Sequence, residues 1–144
     1  VIVRFRNVDV EPDAGPDAWP FEAILEVVER GVLSDWRRLA ATIRANPWGP
    51  CARAVEKIVS WHENYGVDRL FEAIIARARD DADAASRRDY GQRIRAVRTS
   101  LGMTMREFAP LIGTSPARLA SYESGKVAPT ANLLGRVDRI ARSR

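Results

Sequence analysis

Apolar residues along the chain recur mainly at helical spacing. Phe21, Ile24, Leu25 and Val28 fall on one face of a helix that Gly31 ends. Ser34 is placed to cap a second helix, with Trp36, Leu39, Ala40 and Ile43 inward, and Asn46-Pro47-Trp48-Gly49-Pro50 stops it. A third carries Val55, Ile58 and Val59, with Trp61 as a further inward candidate, and closes at Asn64-Tyr65-Gly66. Asp68 is placed to cap a fourth, with Leu70, Phe71, Ile74 and Ile75 inward. Connections this short favour antiparallel neighbours, so the pattern predicts a small helical bundle. Ahead of it, Val1 to Val10 alternates enough for a short extended arm, which lies on the helices, pairs with another chain or stays loose. The segment from Glu11 to Asp17 breaks any element.

From Ala76 to Asp89 the chain has no proline or glycine, many alanines and charges on every side. That predicts an exposed helical connector continuing the fourth helix, a semi-rigid spacer instead of a loose tether. After Tyr90-Gly91, Ile94, Val97, Arg98 and Leu101 trace a further helix that stops at Gly102. Thr104 can cap the next, Glu107 stands at capping-box spacing, and Phe108, Ala109, Leu111 and Ile112 are its apolar positions before Gly113. Ser115 caps a third helix with Pro116 at its first position, running through Arg118, Leu119 and Tyr122-Glu123 to Ser124-Gly125-Lys126. Pro129-Thr130 opens a last helix with Leu133, Leu134, Val137 and Ile140 inward. Two short helices about Gly113-Thr114 are what a helix-turn-helix needs.

Charge sharpens the division. Residues 1–80 hold 11 Lys/Arg against 13 Asp/Glu, whereas residues 81–144 hold 12 against 6, so the basic excess lies entirely in the second part. That asymmetry suits one module meeting a polyanion. The predicted division is residues 1–80, a helical dimerisation or partner-binding domain, and 81–144, the connector and DNA-binding domain. All four tryptophans lie in the first part. Trp19 and Trp48 sit in breaks, where they either plug the end of the bundle or form a contact surface for a partner.

Catalytic chemistry is missing. His62 is the one histidine and Cys51 the one cysteine, which leaves no multi-thiolate or multi-histidine metal site, no intrachain disulfide and no second histidine for a Ser/His/Asp arrangement. A non-enzymatic chain without metal or cofactor is expected. Cys51, in the first turn of a helix, reads as a small packed residue before a nucleophile or sensor, and His62-Glu63 as a helix end. Asp9, Glu11, Asp13 and Asp17 read as a solvated acidic loop. No apolar run approaches the roughly 18 residues of a membrane span, and Val1 to Arg6 lacks the core of a secretion signal, so a soluble cytoplasmic protein is expected.

The run from Val97 to Ser115, followed by Leu119, Tyr122-Glu123-Ser124-Gly125-Lys126 and Pro129, resembles the helix-turn-helix of the Cro and phage-repressor type, also called the Xre family. The resemblance covers about residues 90–141. It implies an all-α chain whose second part is a lambda-repressor-like domain bound to operator DNA, commonly as a two-fold dimer on a palindrome. It implies an inward ion pair between Arg98 and Glu123. Carried over by position, the base-reading residues are Pro116, Ala117 and Ser121, with Arg118 nearby; beside them, Thr104 and Ser115 at the helix starts suit a phosphate, and Lys126 is placed for one beyond the third helix. Proline, alanine and serine discriminate bases poorly, and Met105 stands where the family usually has a glutamine. Arg87, Arg88, Arg93, Arg95 and Arg98 form either a phosphate-facing ridge or a solvated face, and Arg142 and Arg144 add phosphate contacts or merely favour the helix end.

The function expected is a transcriptional regulator, a repressor binding double-stranded DNA as a homodimer. The alternative is an antitoxin-like protein that neutralises a co-produced toxin through residues 1–80 and autoregulates its promoter. Little chain follows Ile140, so dimerisation is expected to depend on residues 1–80 or on the connecting helix.

Overall fold

The structure, a computed structural model, describes residues 14–61 and 66–143. The arm at 1–10, the carboxylates Asp9, Glu11 and Asp13, the pair His62-Glu63 and Arg144 lie outside the described residues. Among the described residues there is no strand. The helices are α1 (Phe21–Arg30), α2 (Leu33–Ala45), α3 (Pro50–Trp61), α4 (Gly66–Ser100), α5 (Met105–Phe108), α6 (Pro116–Glu123) and α7 (Ala131–Arg142), with 3-10 turns at Pro16–Ala18 and Ala109–Ile112. Two compact units divide the chain, Val1–Asp81 and Ala82–Arg144. Among the described residues no helix is long and apolar enough to cross a membrane.

In the first unit, α1 buries Ala23, Ile24, Val27 and Val28, the i, i+1, i+4, i+5 set of one helical face. Leu39 and Ile43 of α2, Val55 and Ile58 of α3, and Phe71 and Ile75 of α4 complete the same core. Each such side chain, fully buried, contributes about 1.5–3 kcal/mol. Several sequence expectations change here. Helix α2 starts at Leu33, and no Ser34 cap is used: Val32 is the N-cap, and the Asp35 carboxylate reaches back to accept its N–H at 3.2 Å. Helix α4 starts at Gly66, so Asp68 is buried inside its first turn instead of preceding it. Leu70 is 47% exposed, because Phe71, Ile75 and Ala78 (i, i+4, i+7) take the inward face and Leu70 stands about 100° away. Trp61 is 57% exposed at the end of α3, its ring edge-on to Phe21 at 5.5 Å and the Lys57 ammonium 5.2 Å over it. Trp36 is only partly buried, and its indole N–H donates to the carbonyl of Val27, closing the end of α1.

Asp17 is a structural tie and not part of a solvated acidic loop. Its carboxylate accepts the N–H of Cys51 at 3.0 Å and the side-chain amide of Asn46 at 3.1 Å. It thereby serves the start of α3, where first-turn N–H groups lack helical partners. Across the unit, the Arg79 guanidinium grips both oxygens of Glu56 at 2.7 and 2.9 Å, donates to the carbonyl of Pro47 and lies 4.0 Å over the ring of Trp48. The hydrogen bond from Arg79 holds the Glu56 carboxyl below its usual value. A lowered folded pKa means the tie is complete at neutral pH and is lost as pH falls through that lowered value.

Cys51 is fully buried, and burial, with the Asp17 charge beside it, pushes its thiol up to about 12. At pH 8 only about one thiol in ten thousand is then ionised, and the thiolate is the reactive form. The native protein is expected to resist a disulfide thiol reagent at pH 8 and to give one equivalent only after denaturant is added. Rapid stoichiometric labelling of the native fold would contradict this burial.

The second unit packs Ile94 of α4, Phe108 of α5, Ala109 and Ile112 of the 3-10 turn, Leu119 and Tyr122 of α6 and Leu133 and Val137 of α7. Leu111 is not among them, being 52% exposed. The tighter 3-10 turn sends Ala109 and Ile112 inward (i, i+3) and Leu111 out. Nor does Tyr90-Gly91 separate two helices: both lie within α4.

Candidate nucleic-acid interface

Helices α5 and α6 and the turn between them form a small hydrogen-bonded assembly in the second unit. The Thr104 hydroxyl accepts the N–H of Glu107 at 3.2 Å, capping α5. Gly113 then adopts φ +72°, a left-handed conformation that stops the 3-10 turn and that other residues rarely adopt. Ser115 caps α6 by accepting the N–H of Arg118 at 3.2 Å, with Pro116 at the first helical position. Arg136 of α7 donates to the carbonyl of Ile112 at 2.9 Å, holding the turn from a third side.

Helix α6 ends in a Schellman motif. The N–H of Lys126 reaches the carbonyl of Ser121 at 3.0 Å, that of Gly125 reaches Tyr122 at 3.1 Å, and Gly125 has φ +76°. The backbone of Lys126 is therefore fixed relative to the helix it follows.

Two contacts set α6 against α4. Arg98 donates to both oxygens of Glu123 at 2.9 and 2.8 Å and to the carbonyl of Met103 at 2.9 Å. The two side chains are 14% and 4% exposed. The hydrogen bonds to Glu123 raise the Arg98 pKa further above its already high value, so the guanidinium stays charged. The second contact is Gly91. A Cβ there would stand 2.4 Å from the carbonyl oxygen of Tyr122 and 2.7 Å from that of Glu123, so α4 lies directly on the last turn of α6.

This scaffold leaves one side of α6 open. Pro116, Ala117 and Arg118 are exposed, as are Ser115, Thr104 and Lys126. Ser121 is half-buried and donates its hydroxyl proton to the carbonyl of Ala117 at 3.3 Å, which leaves its oxygen only as an acceptor. Met105 is partly buried against the core, which gives its thioether a packing role. The hydroxyls of Thr104 and Ser115 accept from the backbone, leaving their own protons for a phosphate oxygen. Chemically, the side offers amide and hydroxyl donors and cations to phosphates, and mainly apolar contacts to bases.

The basic residues of this unit divide by partner. Arg93 is paired with Asp138 and Arg98 with Glu123. Arg87, Arg136 and Arg142 donate to the carbonyls of Gly125, Ile112 and Asp138. Sequence reasoning does not single out Gly91 and Arg136 as site residues. Their signal is positional, a glycine inside a helix and an arginine on α7, and neither shows its purpose without the neighbour it touches.

In the first unit, Trp19 does not offer a partner surface. It is buried, with its indole N–H donating to the carbonyl of Ala14 at 2.8 Å and the Arg38 guanidinium 5.0 Å from its ring. Trp48 is 59% exposed, one face covered by Arg79. Among the described residues no group of three or more His, Cys, Asp or Glu could hold a metal ion.

Against known families, a helix-turn-helix family model of the Cro/C1 type matches residues 94–140. No curated protein and no solved structure compared with the chain matches it.

Proposed function

With residues 94–140 a Cro/C1-type helix-turn-helix, which marks a DNA-binding transcriptional regulator, we propose that the chain is a repressor that occupies a palindromic operator as a homodimer. The observation that carries this reading is the open side of α6, held rigid by Arg98–Glu123 and Arg136 while Pro116, Ala117 and Arg118 stay exposed. Its function is binding, without catalysis, and its place is the cytoplasm, where its DNA lies. Residues 1–80 dimerise or receive a partner.

Base contacts from Pro116, Ala117 and Ser121 are weak, so phosphate contacts from Arg118, Lys126, Thr104 and Ser115 dominate affinity. Binding is expected to fall steeply with salt, and operator DNA to be preferred over random DNA by only about 10²–10³. Lys126→Ala weakens both DNAs alike, whereas Ala117→Leu hurts the operator more by blocking the approach of α6 to the groove floor. Fluorescence-anisotropy titrations on a promoter fragment and a scrambled duplex at two salt concentrations test this. A preference of about 10⁵ for the operator would overturn this account of α6.

The second reading, an antitoxin-like protein, draws support from Trp48, an exposed tryptophan fixed by Arg79 and so ready to anchor a protein partner. Stable co-purification with the product of an adjacent reading frame favours it over a simple repressor.

A further inference from the structure

We propose that Arg88, on the part of α4 that precedes the matched helix-turn-helix segment, makes with Lys126 a second contact to the DNA backbone, lengthening the footprint of this unit beyond the helix-turn-helix itself. The inference rests on the DNA-binding reading above and adds a residue and a surface to it. Once the arginines held by carboxylates or carbonyls are set aside, Arg88, Arg95, Arg106, Arg118, Lys126 and Arg139 are exposed without an ion-pair partner among the described residues.

Of these, Arg88 and Lys126 both adjoin one residue, Gly125. A Cβ at Gly125 would stand 3.0 Å from Cγ and 3.2 Å from Cα of Arg88, so the loop after α6 lies directly on this turn of α4. Arg87 fastens the same loop, its Nε 3.2 Å from the carbonyl oxygen of Gly125. The Schellman motif then directs the chain through Lys126. Three basic residues thus adjoin a single glycine, Arg87 through its guanidinium, Arg88 through its Cα and Cγ and Lys126 as the next residue in the chain, with Asp89 the carboxylate nearest Arg88 in sequence. Like charges gathered at an exposed corner repel one another, and a polyanion offsets that repulsion.

Duplex DNA fits this corner better than a small anion does. The corner lies at the far end of α6 from Ser115, about 12 Å away for eight residues at 1.5 Å each. Phosphate donors then stand at both ends of the helix whose open side faces the bases. Arg87 has a structural partner in the carbonyl of Gly125; Arg88 has none, and its guanidinium is the group available to a phosphate oxygen.

The test uses the full chain and duplex DNA, a promoter fragment and a scrambled sequence, titrated across a salt series. Arg88→Ala is expected to weaken both duplexes about 3–10-fold at low salt and to reduce the slope of log affinity against log salt by about 0.9, one phosphate contact. Arg88→Lys keeps the slope. Arg139→Ala, which removes the same net charge elsewhere, leaves the slope at its wild-type value. A wild-type slope for Arg88→Ala, beside a reduced one for Lys126→Ala, overturns the proposal and leaves the DNA reading standing. So does a loss of affinity with unchanged slope and a lowered melting temperature, which marks a packing role. Failure of the wild type to bind either duplex overturns the DNA reading and this contact with it.

Discussion

Truncating either Arg98 or Glu123 to alanine is expected to destabilise the second unit by about 3–5 kcal/mol, the cost of leaving the other charge buried and unpaired. Glu123 is 4% exposed and its two oxygens have Arg98 as their partner, so little water can replace the lost guanidinium. Removing Arg98 also strips the carbonyl of Met103 of its donor. Replacing both partners together, Arg98→Met with Glu123→Leu, should be far milder, because no isolated charge remains. Urea melts of the three variants, followed by far-ultraviolet circular dichroism, decide the matter. Tryptophan fluorescence is the wrong probe, since all four tryptophans lie in the first unit. Equal effects below one kilocalorie in all three variants would show the pair to contribute nothing through burial.

The second large effect is expected at Gly91, with a sign opposite to helix propensity. Glycine inside a helix costs about 1 kcal/mol relative to alanine, so Gly→Ala ordinarily stabilises. At Gly91 the added methyl would stand 2.4 Å from the carbonyl oxygen of Tyr122, and the neighbours are backbone atoms that cannot swing aside. Overpacking of this kind typically costs about 1–3 kcal/mol, occasionally more. The same unit contains a control. Gly135 sits in α7, where an added methyl would meet nothing within 4 Å, so Gly135→Ala should gain up to about 1 kcal/mol. A thermal melt in which both substitutions shift the midpoint upward would disprove the close approach of α4 and α6.

These two positions also mark where the sequence is legible and where it is not. Helical periodicity locates the core positions Ile24, Val28, Leu39, Ile43, Val55 and Phe71, and capping chemistry locates Thr104 and Ser115, because both signals are local. Helix ends governed by distant contacts escape it. Gly91 resembles a break when only its neighbours are considered, yet it is the point at which another helix touches α4. Hydrophobicity alone turns Leu70 and Leu111 inward, where the helical register and a tighter 3-10 turn face them outward. The tryptophans in breaks divide, Trp19 going into the core and Trp48 remaining at the surface, according to contacts with Ala14 and Arg79 that no spacing rule contains. For the interface, the exposed residues of α6 and the Arg98–Glu123 geometry lie at positions the family resemblance names. The brace from Arg136 and the corner around Gly125 depend on tertiary placement.

The hold of Asp17 on Cys51 spans 34 residues, and it bears on the order in which this unit can assemble. Gly49, immediately before α3, has no side chain with which to satisfy that first-turn N–H, so the group waits for a carboxylate from far earlier in the chain. Closing so long a loop carries an entropic cost that a local cap avoids. The beginning of α3 is therefore expected to form late in folding and to open early, together with the 3-10 turn at Pro16–Ala18 and independently of the helix that follows it. Amide hydrogen exchange at Cys51 would thus keep time with the amino-terminal segment, while exchange in the middle of α3 keeps time with the core.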